Sequence, residues 1–161
     1  MSKRQVKVYP RFERFWHWTQ MALIVVLLFT GLGLNGSHGL IGFGAAVTLH
    51  TVAALALLAI WIFANFWLIT TGTWRHFMPR LDGLLQVARY YGWGVFRGED
   101  HPYEKTRWRK HNPLQAVTYF ALKWLVFPVI WITGLVYLTY NLWEPVPNSG
   151  LLLAVVANIH L

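Results

Sequence analysis

The sequence contains no cysteine. Disulfides, thiolate-bound haem and cysteine-ligated iron–sulfur clusters are thereby excluded from this chain, and any iron–sulfur chemistry belongs to a partner. Charge is also scarce: charged residues make up 12% of the chain, and only 6 are acidic against 14 lysines and arginines. With 161 residues, 56% apolar content and 10 tryptophans, the chain is too apolar for an ordinary soluble domain and is expected in a lipid bilayer. Low-complexity sequence and a separate soluble domain are lacking as well. The net charge of +8 is accounted for by anionic headgroups and membrane topology, so no nucleic-acid partner is expected.

What is present is a set of long uncharged runs. Crossing a hydrocarbon core of ~30 Å takes about 20 mostly apolar residues. No charged residue occurs between Phe15 and Trp74, a stretch broken by "NGSHGLIG" at 35–42, which gives two spans of roughly 15–34 and 43–70. A third runs from about Pro113 to Tyr140 and is charged only at Lys123. A fourth opens near residue 150 in "SGLLLAVVANIHL" and stops at Leu161, too short to cross, so a helix truncated here and continuing beyond Leu161 is expected. The expected architecture is an all-α integral membrane four-helix bundle, one transmembrane domain over residues 1–161. The first span is longer than a signal-peptide core and lacks an A-x-A-like cleavage site, so it is expected to be retained.

Basic residues mark the cytoplasmic side of short loops. Lys3, Arg4, Lys7, Arg11 and Arg14 precede the first span, and Arg75, Arg80, Arg89, Arg97, Lys105, Arg107, Arg109 and Lys110 lie between the second and third. The N-terminus and the 71–112 loop are therefore expected in the cytoplasm of a bacterium and 35–42 and 141–149 outside, in a multi-pass inner-membrane protein. The long loop carries "LDGLLQVARYYGWGVFRG", with Leu84, Leu85, Ala88, Tyr91 and Val95 at the spacing of an interfacial amphipathic helix, against which Gly92 and Gly94 count. A weak echo, "FTGLGL" at 29–34 and "ITGLVY" at 132–137, ends the two outward-going spans. Small residues there admit either a neighbouring helix or a flat cofactor.

Of 7 histidines, His38, His76, His101 and His111 fall in loops and read as surface groups, with His111 nearest a span. His17, His50 and His160 fall inside spans, where polar side chains are costly and usually face the bundle interior for a reason. Side chains from facing helices of such bundles bind haem. Counting at ~1.5 Å per residue, His50 lies ~10 Å below the outer edge and His160 at most ~15 Å, so the two can face one another across a porphyrin. Each neutral imidazole would bind iron while its other ring nitrogen is held by a hydrogen bond to backbone or water. His17, near the inner edge, implies a second, inner haem. Arg11 and Arg14 stand where its propionates would emerge, although positive-inside anchoring explains them equally. Lys123 can snorkel inward, bind a propionate or relay protons.

"RFERFWHW" at the first span, "TLHTVAALALL" in the second, and "HPYEKTRWRKHNPLQAVTYFALKWLVFPVIWITG" leading into the third resemble the dihaem b-type cytochrome membrane subunits of nickel–iron hydrogenases, formate dehydrogenases and thiosulfate reductases. The resemblance covers essentially the whole chain. It implies two b haems and electron exchange between a quinone, menaquinone or ubiquinone, and a catalytic oxidoreductase complex with iron–sulfur or multihaem subunits on the outer side, where the main chemistry occurs. It further implies His50 and His160 as ligands of the outer haem, His17 as one ligand of the inner haem, and Asn112 and Gln115 beside a quinone at the start of the third helix. Pro113 and Leu114 stand where the formate dehydrogenase version has small residues. An amide pair at the inner edge can donate to and accept from a quinone; helix capping by Asn112 ahead of Pro113 explains the same residues. Two competing readings remain: a stand-alone four-helix cytochrome acting on a diffusible molecule such as superoxide, and a haem-free membrane anchor or transporter component.

Overall fold

The computed structural model describes residues 10–79, 81–104 and 111–160. Lys3, Arg4, Lys7, Arg80, Lys105, Arg107, Arg109 and Lys110, used above for topology, lie outside the described residues, as does Leu161. Every regular element among the described residues is helical, and none is a strand. Three helical stretches are long and apolar enough to span a bilayer: α1 (Arg11–Leu34), α2 (Phe43–Thr70) and the continuous stretch Pro113–Leu138. The protein is an all-α membrane protein.

The chain divides into two compact units between Thr73 and Trp74. In the first, α1 packs along α2. The α2 seam is Ala46, Ala53, Leu57, Ala64 and Leu68, all buried, while Phe43, Val52, Ile62, Phe63, Phe66 and Ile69 are exposed. This inverts the soluble pattern. In lipid no hydrophobic force separates Leu from its surroundings, so helices meet through small residues and turn their large apolar side chains outward. Near the start of α1 and the end of α2, Phe12 packs on Phe63 and Trp67, with ring centroids 5.5 and 4.6 Å apart. Helix α1 starts at Arg11, a turn before the apolar run begins, because Pro10 with extended backbone (ψ 162°) ends the preceding chain there. Arg11 and Arg14 are thus exposed first-turn helical residues, and Glu13, buried, suits the positive end of the helix dipole.

In the second unit the loop is built. A 3₁₀ turn at Thr73–Phe77 leads to α3 (Leu84–Gly92), as the spacing predicts, and a 3₁₀ turn at Gly94–Arg97. Val87 is the buried residue of α3, which packs on the third span, whereas Leu81, Leu85, Trp93 and Phe96 are exposed apolar groups of the kind an interfacial helix buries in headgroups. The helix is shorter than the spacing suggested, since α3 ends at Gly92 and Val95 falls in the 3₁₀ turn; Glu99 and Tyr90 fill the space beside Gly94 so closely that a methyl group would lie 2.8 Å from Glu99 Oε2. The third span is α4 (Pro113–Ala121), a π-helical turn (Leu122–Val126) and α5 (Phe127–Leu138). Pro128 explains the widened turn, since its ring crowds the carbonyl one turn back and it offers no N–H. A short helix α6 (Tyr140–Trp143) follows, and α7 (Ser149–His160) packs on α5.

Candidate functional site

His50 lies two turns into α2, half-buried against the C-terminal part of α1. Its Nδ1 is 2.9 Å from Oγ1 of Thr30, itself fully buried. The same hydroxyl lies 2.7 Å from the carbonyl oxygen of Val26 and 3.2 Å from that of Leu27. The neighbouring Gly31 leaves room for the imidazole: a methyl group there would sit 3.5 Å from His50 Cε1.

The second unit repeats the arrangement. His160 at the end of α7 places Nδ1 3.0 Å from Oγ1 of Thr133 on α5. That hydroxyl is 2.7 Å from the carbonyl of Val129 and 3.0 Å from that of Ile130. Gly134 follows, and a methyl group on it would collide with His160 Cε1 at 2.8 Å. The echo at 29–34 and 132–137 is therefore a Thr–Gly pair that in each unit receives one histidine from the facing helix.

Counting protons favours one tautomer. A threonine hydroxyl has one proton, and a carbonyl can only accept. With the carbonyl of Val26 at 2.7 Å, the Thr30 proton belongs there, since the reverse would set two lone pairs against each other. Thr30 Oγ1 then accepts from His50 Nδ1–H, and Thr133 accepts from His160 in the same way. A ring that donates from Nδ1 in this way carries its lone pair on Nε2, the form in which an imidazole binds iron while its other nitrogen is held. The donor chemistry suits haem better than a bare ion. No cluster of three or more His, Asp or Glu groups able to hold a metal ion exists among the described residues, whereas a porphyrin brings its own four nitrogens and asks the protein for one or two axial imidazoles.

The other expected residues fall as follows. His17 is exposed on α1, its ring 5.8 Å from that of Trp18, and shares the helix's N-terminal part with Arg11 and Arg14. Lys123 sits in the π turn with Nζ 5.8 Å from the Trp124 ring. Among the loop histidines, His111 is enclosed by Phe77 and Tyr119 at 4.8 and 5.1 Å, a packing role. His38 folds back on the end of α1, with Nε2 2.8 Å from the carbonyl of Phe29, and stacks on that ring at 4.6 Å.

Asn112 and Gln115 come together as a capping box. Asn112 Oδ1 accepts from the Gln115 backbone N–H at 2.7 Å, and Gln115 Oε1 accepts from the Asn112 backbone N–H at 3.2 Å, with Pro113 in the first helical position. Asn112 is buried, and its Nδ2 donates to Tyr91 Oη at 3.3 Å. Tyr91 Oη is in turn 3.1 Å from His101 Nε2, and His101 Nδ1 is 2.8 Å from the Tyr103 carbonyl. The structure therefore joins Gln115, Asn112, Tyr91 and His101 into one network at the mouth of the third span. Sequence reasoning missed Thr30, Thr133, Tyr91 and His101; for the threonines the signal was the Thr–Gly echo, read only for its small residues.

Residues 8–161 match the family described as prokaryotic cytochrome b561. The chain is also similar to "Putative cytochrome YdhU" of Escherichia coli strain K12, 34% identical over 142 residues, which cover 83% of this chain and 53% of that protein. It thus spans about half the length of that curated relative. No solved structure matches.

Proposed function

Because the chain belongs to the prokaryotic cytochrome b561 family, and so is a b-type membrane electron-transfer protein, we propose that it carries electrons through two b haems between a quinone and an outward-facing redox partner. The observation that supports this reading is the matched pair of imidazoles, His50 with Nδ1 against Thr30 and His160 with Nδ1 against Thr133. On this reading His50 and His160 would hold the outer haem. His17 is a ligand of an inner haem, with Arg11 and Arg14 placed on the same helix end to bind its propionates. Bound haem supplies a one-electron iron couple. Held by both imidazoles, it would serve electron transfer and not substrate binding.

Asn112 and Gln115 serve the quinone at the cytoplasmic end. The capping box fixes both carboxamides, and each still has donor and acceptor capacity beyond the bonds it makes there. A quinone reduced or oxidised here exchanges protons with the cytoplasm while electrons cross toward the outer side, so turnover moves charge across the inner membrane. The resemblance to the membrane subunits of hydrogenases and formate dehydrogenases supports an outward partner containing iron–sulfur or multihaem centres, and the distribution of basic residues supports a cytoplasmic N-terminus.

Haem content and the reduced-minus-oxidised spectrum of the purified full chain test the assignment. His50→Ala and His160→Ala should each remove the same one of two b haems and leave the other. Full haem stoichiometry in either variant would overturn the pairing, and absence of a b-type α band in the unaltered protein would overturn the whole reading.

A further inference from the structure

We propose that Thr30 and Thr133 are positioning residues that make His50 and His160 strong electron donors to iron and thereby lower the reduction potential of the haem they bind. The proposal rests on the haem reading above and adds to it a control of potential by two side chains that touch no iron.

The same device is built twice, in separately packed units, from the same parts: a threonine one residue before a glycine, a hydroxyl bonded to the carbonyl four residues back, and an imidazole Nδ1 at 2.9 or 3.0 Å. In a span a threonine can satisfy its hydroxyl wholly on its own helix, so the contact with a histidine is not needed to pair the threonine. It acts on the histidine. Because each hydroxyl gives its proton to the carbonyl of Val26 or Val129, both at 2.7 Å, its oxygen is held in place by backbone and polarised into a better acceptor. An imidazole donating Nδ1–H to such an acceptor gains imidazolate character, and its Nε2 becomes more basic. A more basic axial ligand favours the oxidised, more highly charged iron, so the potential falls. Gly134 lets the His160 ring approach closely enough for its bond to form, whereas a methyl group at 31 would make only an ordinary contact with His50.

A role in packing alone makes a different prediction, because valine keeps the shape of threonine while losing the acceptor. In the purified full chain, Thr30→Val and Thr133→Val should each raise the midpoint potential of the affected haem, beyond the reproducibility of the titration, with haem content intact. Thr30→Ser and Thr133→Ser should return it toward the original value. Fully loaded valine variants with an unmoved midpoint would overturn the proposal. Should a valine variant lose its haem, the ring ¹⁵N signals of labelled histidine in haem-free protein decide. A proton on Nδ1 in the unaltered and serine forms, and on Nε2 in the valine form, supports the proposal; a proton on Nε2 in the unaltered form overturns it. Lack of haem in the unaltered protein would sink the functional reading, whereas unmoved potentials in loaded variants would sink only this control.

Discussion

At the residue scale the two glycines beside the threonines differ in a way that can be measured. A methyl group at 134 would lie 2.8 Å from the His160 ring, inside contact distance, and one at 31 would lie 3.5 Å from the His50 ring, an ordinary contact. Gly134→Ala must therefore push the imidazole off Thr133, while Gly31→Ala is accommodated. The expected outcome is loss of outer-haem occupancy, or a marked fall in its affinity, for Gly134→Ala and near-normal loading for Gly31→Ala, read by haem per protein and circular dichroism in the haem band. Equal loading in both would mean that the His160 ring can move without consequence. His50 and His160 were legible in the sequence because an imidazole inside a lipid-spanning run is expensive and so conspicuous. Thr30 and Thr133 were not, since threonine is unremarkable in such helices, where it satisfies itself on its own backbone. What gives them meaning is a partner 20 or 27 residues away on another helix.

At the element scale the long helices could be read from apolar run length, and α3 from the spacing of its apolar residues. The π turn could not, because widening by one residue leaves no mark on composition; only Pro128 hinted at it. The capping box was half-legible. Asn112, Pro113 and Gln115 spell a helix start, but the link through Tyr91 to His101 depends on how α3 and the 3₁₀ turn after it fold back on α4. This separates two roles for Asn112. Asn112→Ala removes the cap and should cost about 1 kcal/mol of stability, seen as a lower thermal midpoint. Asn112→Asp keeps an acceptor for the Gln115 N–H, and its negative charge suits a helix N-terminus, but it cannot donate to Tyr91 or to a quinone. If the carboxamide serves the quinone, Asn112→Asp keeps its haem spectra yet turns over quinol several-fold more slowly than its thermal midpoint, set beside that of Asn112→Ala, would predict from stability alone. Turnover that simply follows stability across both variants would leave capping as the residue's whole role.

At the scale of the whole molecule the direction of charge movement depends on which side of the membrane each loop occupies. That inference rests on the placement of lysines and arginines, since apolar helices are indifferent to orientation. It gives the N-terminus and the 71–112 loop to the cytoplasm, so that Asn112 stands at the proton-supplying side and the Thr–Gly–held histidines toward the outside. The absence of cysteine makes this open to direct measurement, because any thiol introduced is the only one in the chain. Ser37 and Glu144 are exposed in the two loops expected outside, and Asp100 is exposed in the loop expected inside. Ser37→Cys and Glu144→Cys should react with a membrane-impermeant maleimide added to intact spheroplasts, and Asp100→Cys only after the membrane is opened. The opposite pattern would place the quinone site on the outer side. Proton uptake would then occur there and the electrical consequence of turnover would change sign, even with every haem ligand correctly assigned.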